Sequence, residues 1–408
     1  MRVSIEEKAA EFSEGGAPLS GQGAACPILL VSPSYPPVVG GSEIEAQQIA
    51  AALAQRGCAV DVFTMGGGPM PAVTEFHDPF GTRVFLAGGK LPARLRGYVF
   101  GLKTTLHLLF NPRKYRRIYF LMTGFQLLLG LPIARILRIP ILMKFSGPNT
   151  ILPLSKTSIG RLEIEMLRRW SAKILILNDA MQEEAETVGL PARLLAWMPN
   201  PVDTERFCPA GENERIILRS QLGLSETEIV LLFVGRLAPE KELPVLIGAF
   251  HLVIQSSPAT RLVLIGNGPE RQMAEDLVAE LGLQPHVTFA GVQPHSAIPL
   301  WLKAADVFTL VSSLEGFSCS LVEAMSAGLP SVVSDIPANA QLIESGEEGM
   351  LTKLRDSRDL ANGFLHLIES RSERERMGKA ARAKVLERYS ISTVTTQYED
   401  LFRSMGQV

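Results

Sequence analysis

The feature that most restricts the fold of this chain is a repeated alternation of short apolar runs, glycine-containing turns and amphipathic stretches of helix length. From Pro27 the run PILLVSPSY leads into GGSEIEAQQIAAALAQRG and then AVDVFTM. Strand, turn, helix and strand in that order is the signature of a parallel sheet with crossover helices. Ala46, Ile49, Ala50 and Leu53 recur at helical spacing and give the first helix an apolar face, and Gly57 stands where a helix C-cap is expected. The rhythm continues through RRIYFLM, GFQLLLGLPIARILRI and PILMKFSG, then KILILN and the loop WMPNPVD. This predicts one doubly wound domain over residues 27–207. A second series starts at Glu228 with EIVLLFVG and runs through RLVLIGNG, VTFAG, DVFTLVSS, LVEAMSAG and PSVVSD. It predicts a second domain over residues 208–388, with the polar stretch from Cys208 to Glu228 as the linker. After Asp356 the chain becomes helical and charged and closes in an amphipathic segment. The expected fold class is therefore α/β, with two Rossmann-like doubly wound domains, and 408 residues are enough to bury both cores.

Composition narrows the functional classes. With 46% hydrophobic and 20% charged residues the chain reads as globular. Cys26, Cys58, Cys208 and Cys319 show no CxxC or Cys/His spacing, so neither a disulfide framework nor a zinc site is expected. Residues 1–26 are polar and Gly-rich, lack the apolar core of a signal peptide and read as a flexible tail. The uncharged stretch from Ile118 to Ala134 is interrupted by Gly124, Gln126, Gly130 and Pro132, which favours a buried strand, turn and helix over a membrane span. The expected location is the cytoplasm.

Net charge is only −2, yet no Asp or Glu occurs between Pro79 and Leu162, where fourteen Lys and Arg residues fall. The remaining chain holds 26 basic against 42 acidic residues, or −16. The basic segment 83–161 is interleaved with Tyr98, Phe100, Phe110, Tyr115, Tyr119 and Phe120. It could lie against an anionic membrane surface, giving a peripheral hold on the inner membrane face, or hold an acidic acceptor. Alternatively, a basic half pairs with an acidic half across a cleft. Nucleic acid is not an expected partner, because no recognisable binding module accompanies the charge.

Three constellations carry chemistry. EGFSCSLVE, Glu315 to Glu323, follows a strand and opens a helix near Ser318, so two carboxylates flank a helix N-terminus whose N–H groups suit a diphosphate. A capping carboxylate followed by a solvated helix Glu has the same spacing, and the motif alone does not separate the two. GRLAPEK, Gly235 to Lys241, follows a strand and places Arg236 and Lys241 where two fixed cations could neutralise a departing nucleoside diphosphate. No DxD triplet or Asp/His cluster suited to a divalent ion accompanies them, so no metal site and no cofactor beyond the donor substrate is expected. GGSE, Gly40 to Glu43, and GNGPE, Gly266 to Glu270, are βα turns where backbone can approach a phosphate. Neither matches a GxGxxG nicotinamide fingerprint.

With these motifs in this order, the sequence resembles the family 4 glycosyltransferases of GT-B fold, from about Pro27 to the C-terminus. The most specific element is the E-x7-E of EGFSCSLVE followed by AMSAGLPSVVS, supported by GRLAPEK and ADVF. The resemblance implies a retaining transferase in which two domains face a cleft, the second binding a nucleoside-diphosphate sugar, most often a UDP-sugar, and the first binding a glycan, lipid-linked or small-molecule acceptor. It implies catalytic roles for Glu315, Arg236 and Lys241. It implies donor contacts from Gly40, Gly41, Ser146, Gly235, Gly266, Asn267, Gly268, Val292, Gly316, Phe317, Ser318, Leu321 and Glu323, with Glu323 on the ribose. It also implies a terminal helix, residues 389–408, that returns to the first domain. Where the family usually places a His-Gly pair, this chain has Ser146 and Gly147, and Gln341 stands where Glu is common. An epimerase or phosphorylase on the same fold, or a non-catalytic sugar-nucleotide binder, are the alternative functions.

Overall fold

The structure is a computed structural model that describes residues 27–37, 40–66, 75–87 and 91–405. The tail expected over residues 1–26 and the last three residues lie outside the described residues. The first half runs β1 (Ile28–Ser32), α1 (Gly41–Gln55), β2 (Val60–Thr64), β3 (Glu75–His77), β4 (Arg83–Leu86), α2 (Ala93–Phe110) and β5 (Arg117–Leu121). It continues with α3 (Phe125–Ile136), β6 (Ile141–Lys144), α4 (Ser158–Trp170), β7 (Lys173–Ile176), α5 (Asp179–Thr187) and β8 (Leu195–Trp197). Its eight strands order as β3-β4-β2-β1-β5-β6-β7-β8, all parallel except the β3–β4 pair. Side chains alternate across this sheet as the two-residue period of a strand requires. Leu29, Val31, Ile118 and Phe120 pack beneath α2, α3 and α4, whereas Ile28, Leu30, Tyr119 and Leu121 pack beneath α1.

The second half begins with α6 (Glu212–Gln221), β9 (Ile229–Val234), α7 (Leu243–Ser256), β10 (Thr260–Ile265), α8 (Arg271–Glu280) and β11 (Val287–Gly291). Next come α9 (Ile298–Ala304), β12 (Val307–Leu310), α10 (Cys319–Ser326), β13 (Ser331–Ser334), α11 (Pro337–Ala340) and β14 (Gly349–Thr352). Three helices close the chain: α12 (Ser357–Glu369), α13 (Arg371–Arg388) and α14 (Ile391–Ser404). The six strands form a parallel sheet ordered β11-β10-β9-β12-β13-β14. Fully buried β-branched and aromatic residues such as Val263, Phe233, Phe308 and Val332 explain why these strands read as continuous apolar runs.

Two strands of chain cross between the domains side by side. Val202 N–H donates to the Tyr389 carbonyl at 2.8 Å, and Ile391 N–H returns to the Val202 carbonyl at 3.1 Å. Val202 and Phe207 already belong to the second core, so the crossover precedes the boundary at residue 207 read from the sequence. The reason is local: the Phe207 carbonyl accepts from Ser326 Oγ at 2.6 Å and from Arg382 at 2.7 Å, which fixes it to the second domain. Beyond the crossing, Ser390 caps α14 by accepting from Thr393 N–H. Val394, Tyr398 and Phe402 then bury against α1 and the first sheet. Truncating one such aromatic costs roughly 3–5 kcal/mol, so α14 is an anchored part of the first domain.

Candidate active site between the domains

In an open parallel sheet the crevice for ligands forms beyond the C-terminal ends of the strands, where the strand order reverses. In the second sheet that point lies between β9 and β12. The loop after β9 carries Gly235 to Lys241, and the loop after β12 carries Glu315, so the topology brings these two motifs to one place from 74 residues apart. The Lys241 ammonium forms an ion pair with Glu315 Oε1, to which Ser312 Oγ also donates at 2.7 Å. Both side chains are mostly buried, at 12% and 14% exposure. Ser313 N–H bonds the Glu240 carbonyl at 2.8 Å and clamps the two loops together.

Arg236 behaves differently from the sequence expectation that it points with Lys241 at one spot. Its guanidinium is 69% exposed and pairs with Glu240 of the same loop at 2.6 Å. An exposed pair of this kind contributes about 0–1 kcal/mol, so it holds Arg236 only weakly.

The glycines of GNG are required by packing. A Cβ at Gly266, where φ is +137°, would fall 1.9 Å from the Gly235 carbonyl oxygen, and one at Gly268 would fall 2.1 Å from that of Leu237. Leu237 N–H donates to the Asn267 carbonyl at 3.0 Å, and Asn267 Oδ1 accepts from Gly268 N–H at 2.9 Å. This turn buttresses the Lys241 loop. Val292, at the end of β11, is exposed.

EGFSCSLVE forms the seam between the domains. Gly316 lies against Gly147: a Cβ on Gly316 would stand 2.8 Å from Gly147 Cα and 3.1 Å from the Ser146 carbonyl oxygen. Asn178 caps α5 by accepting from Met181 N–H at 2.9 Å, and its amide donates to the Gly316 carbonyl at 2.7 Å. One side chain therefore caps the start of a helix in the first domain and holds the Gly316 loop of the second. Phe317 packs against both large cores and lies 6.0 Å from the Tyr389 ring. Ser318 is turned inward onto Asn339 Oδ1 at 2.6 Å. Leu321 has its side chain fully buried in the second core, because the third position of α10 faces the sheet, so only its backbone is placed to meet a ligand. Glu323, two turns into the motif, accepts a hydrogen bond from His295 at 2.8 Å. His295 is itself set by Arg206, which donates to its carbonyl, and by the Phe207 ring 5.5 Å away.

The first domain supplies the facing wall. Gly41 approaches the thiol of Cys319 closely enough that a Cβ would sit 3.5 Å away. Burial pushes that thiol up to about 12, so Cys319 stays protonated and packs as an apolar group. Asn200 donates to Cys319 Sγ at 3.4 Å and accepts from Lys144 Nζ at 2.7 Å. Lys144, the last residue of β6, is buried and pairs with Glu45 of α1, while Tyr398 of α14 donates to Glu45 at 3.3 Å. The ammonium is thus engaged beneath the cleft, whereas Ser146, two residues on, is exposed at its edge. With its amide oriented by the hydrogen-bond network, Gln341 bridges Leu177 and Asp179 of the first domain at 3.0 and 3.1 Å.

Between these walls lies a small cavity of about 30 Å³ lined by Gly41, Glu45, Asn200, Phe317, Cys319 and Glu323. It is too small for a nucleotide sugar, and neither Lys241 nor Glu315 lines it. A larger cavity of about 590 Å³ lies at the opposite end of the second sheet, beside α6, Asp306 and the start of α13. Its lining carries as many carboxylates as cations, with Arg215 and Arg219 sharing Asp306 and Arg371 on Glu375, which leaves little net charge for a diphosphate.

Sequence reasoning missed His295, Asn178, Asn200 and the Lys144–Glu45 pair. Two of these had a local signal: Asn178 follows an apolar strand at a helix start, the place of an N-cap, and Lys144 is a lone cation closing the apolar run ILM. His295 and Asn200 had none, since their partners are 28 and 119 residues away.

Comparison with known proteins matches the family described as Glycosyltransferase Family 4 to residues 39–206 and that described as Glycosyl transferases group 1 to residues 214–384. The chain is similar to the alpha-D-kanosaminyltransferase of Streptomyces kanamyceticus, 27% identical over 67% of this chain and 72% of that protein. It is similar also to the UDP-Gal:alpha-D-GlcNAc-diphosphoundecaprenol alpha-1,3-galactosyltransferase of Escherichia coli, 26% identical over 68% of this chain and 73% of the relative. Among solved structures, Anabaena HepE in complex with UDP and glucose superposes with a TM-score of 0.77 at 23% identity, covering 93% of this chain and all of that one.

Proposed function

We propose, from the premise that this chain belongs to the GT-B glycosyltransferases of family 4 type, that it moves a sugar with retention from a nucleoside-diphosphate donor to a glycan or lipid-linked acceptor, without a metal ion or other cofactor. UDP-sugars are the favoured donors, in keeping with a relative named for UDP-Gal and a structural neighbour that holds UDP. The observation that carries the reading is the Lys241–Glu315 pair at the β9/β12 switch point, a cation and a carboxylate held together where the two domains meet.

Each side chain then has a chemical role. Once the domains open, the donor's diphosphate takes over the Lys241 ammonium, and the freed Glu315 accepts hydrogen bonds from hydroxyls of the transferred sugar. Arg236 swings from its weak surface pair onto the same phosphates, and the N-terminus of α10 adds its partial positive charge. The acceptor hydroxyl attacks the anomeric carbon from the side the diphosphate leaves, and the departing phosphate oxygen takes the hydroxyl proton. Lys241 and Arg236 stabilise the charge that grows on the leaving group, an interaction stronger in the transition state than in the ground state. Glu323, oriented by His295, holds the ribose. Reclosure around Gly147 and Gly316 excludes water. The acceptor is approached from the first domain, whose acid-free segment 79–162 would face an anionic membrane surface at the inner side of the membrane.

A thermal-shift panel of nucleoside diphosphates and their sugars tests the donor, and the anomeric configuration of the product, read by NMR, tests retention. UDP-sugars should raise the melting temperature most, and turnover should survive a chelator. A product of inverted configuration, or no response to any nucleoside diphosphate, would overturn the reading; binding without transfer or donor hydrolysis would make the protein a non-catalytic binder.

A further inference from the structure

We infer that the outer face of α2 is a docking surface for an anionic lipid bilayer, holding the acceptor side of the protein against a membrane. The inference rests on reading the first domain as the acceptor side, and it adds the element and the residues that make the contact.

α2 is apolar on both of its faces. Phe100, Thr104 and Leu108 are buried toward the sheet, and Gly101 is so close to Phe125 that a Cβ would meet its backbone at 2.9 Å. A helix that buries one face normally presents polar residues on the other. Here the outer face carries Leu95, Tyr98, Leu102, Leu106 and Leu109, between 39% and 58% exposed. At 100° per residue they fall within an arc of roughly 80°, a stripe about 21 Å long. Phe110, 80% exposed, ends it. In the same helical layer α3 exposes Ile136 and α4 exposes Ile159 and Leu162. A contiguous apolar surface of this kind on a folded protein marks a contact site.

The charge around it identifies the partner. Of the fourteen cations between Arg83 and Arg161, Arg83 and Lys114 pair with Asp61, and Lys144 pairs with Glu45. Lys103, Arg113, Arg116, Arg135, Arg138 and Lys156 have no carboxylate partner among the described residues, and all are exposed. The basic segment is therefore not matched to an acidic half across the cleft, which was the alternative open in the sequence. A second copy of the chain joined by a two-fold axis would bring two such sets of cations together, an arrangement that repels. A bilayer with anionic headgroups accepts both features at once: cations at the phosphate level, and Leu, Tyr and Phe side chains at the acyl boundary.

Co-sedimentation of the full chain with vesicles tests this, using phosphatidylcholine alone or mixed with phosphatidylglycerol. Binding should be at least tenfold tighter to the anionic vesicles and should fall with added salt. Leu102→Glu/Leu106→Glu and, separately, Arg113→Ala/Arg116→Ala should each weaken it tenfold or more. All four positions are exposed, so both variants should keep the wild-type circular dichroism and the wild-type melting shift with UDP. Absence of wild-type binding to anionic vesicles, or unchanged binding by Leu102→Glu/Leu106→Glu, overturns the inference. So does a concentration-dependent dimer that this variant dissociates, which would assign the face to a second copy. A missing UDP shift in every form, with vesicle binding intact, would count against the donor reading and leave this one standing.

Discussion

Lys144→Met isolates the buried ion pair beneath the cleft. The substitution keeps most of the side-chain volume and removes the charge. Lys144 and Glu45 are 2% and 4% exposed, so the Glu45 carboxylate would remain buried with, among the described residues, only the Tyr398 hydroxyl donating to it. Removing one partner of a buried pair costs about 3–5 kcal/mol, whereas the exposed Arg236–Glu240 pair is expected to yield about 0–1 kcal/mol in the same experiment. The loss should fall on the first domain, because Glu45 lies on α1 and its neighbour Tyr398 on α14, which pack on the same sheet face. Hydrogen exchange along β6 and α1, together with urea denaturation, measures it. The double variant Lys144→Met/Glu45→Leu should recover most of the stability, since both buried charges are then gone. A single variant that costs less than about 1 kcal/mol, or a double variant whose cost is the sum of the singles, refutes the reasoning.

Burial raises the Glu163 carboxyl from its ordinary 4.5 to about 7, against a hydrogen bond from the Gly124 backbone that favours the ionised form. The folded state therefore binds this proton more tightly than the unfolded chain. Its stabilising contribution is complete below about pH 4.5 and is lost as pH rises through about 7, an effect of up to about 3 kcal/mol. Glu163→Gln should match wild type at pH 5 and melt higher at pH 8; equal melting temperatures at pH 8 would contradict this. His295→Ala should raise the donor KM with a smaller change in kcat, and the penalty should shrink when 2′-deoxy-UDP replaces UDP in binding. Additive penalties would show that His295 does not act through Glu323 and the ribose. Gly316→Ala places a methyl 2.8 Å from Gly147 Cα, where only backbone could move. It should reduce turnover more than donor affinity, and an unchanged kcat would show that this close approach is not part of the working state.

The alternation of strands and helices was legible because each element carries its own period. Ile28 and Leu30 face α1 while Leu29 and Val31 face α2 to α4, and both sets are apolar, so β1 reads as a continuous run. The strand ends also announced the site, since Gly235 and Glu315 follow two strands that are neighbours in the sheet. What the sequence could not give is the choice of partner among charged groups. Lys241 and Arg236 are five residues apart in one loop, yet one is drawn into the seam by Glu315 and Ser312 and the other is held outside by Glu240. Glu45 reads as one of several polar residues on a helix until β6 brings Lys144 beneath it. Phe207 reads as the end of a strand–loop series, and the carbonyl bonds from Ser326 and Arg382 that tie it to the second core come from residues more than a hundred positions away, with no local signal.

The proposed function places the Lys241 ammonium, at the β9/β12 crevice, as the group that grips the donor's diphosphate. One positive charge about 4 Å from a phosphate at an effective dielectric near 20 amounts to about 4 kcal/mol, close to a thousandfold in binding before any loss to solvent. The direct measurement is calorimetric titration of wild type and Lys241→Ala with UDP and with uridine. The variant should bind UDP about a hundred- to a thousandfold more weakly, and uridine as well as wild type does. Equal UDP affinity in the two proteins would contradict it.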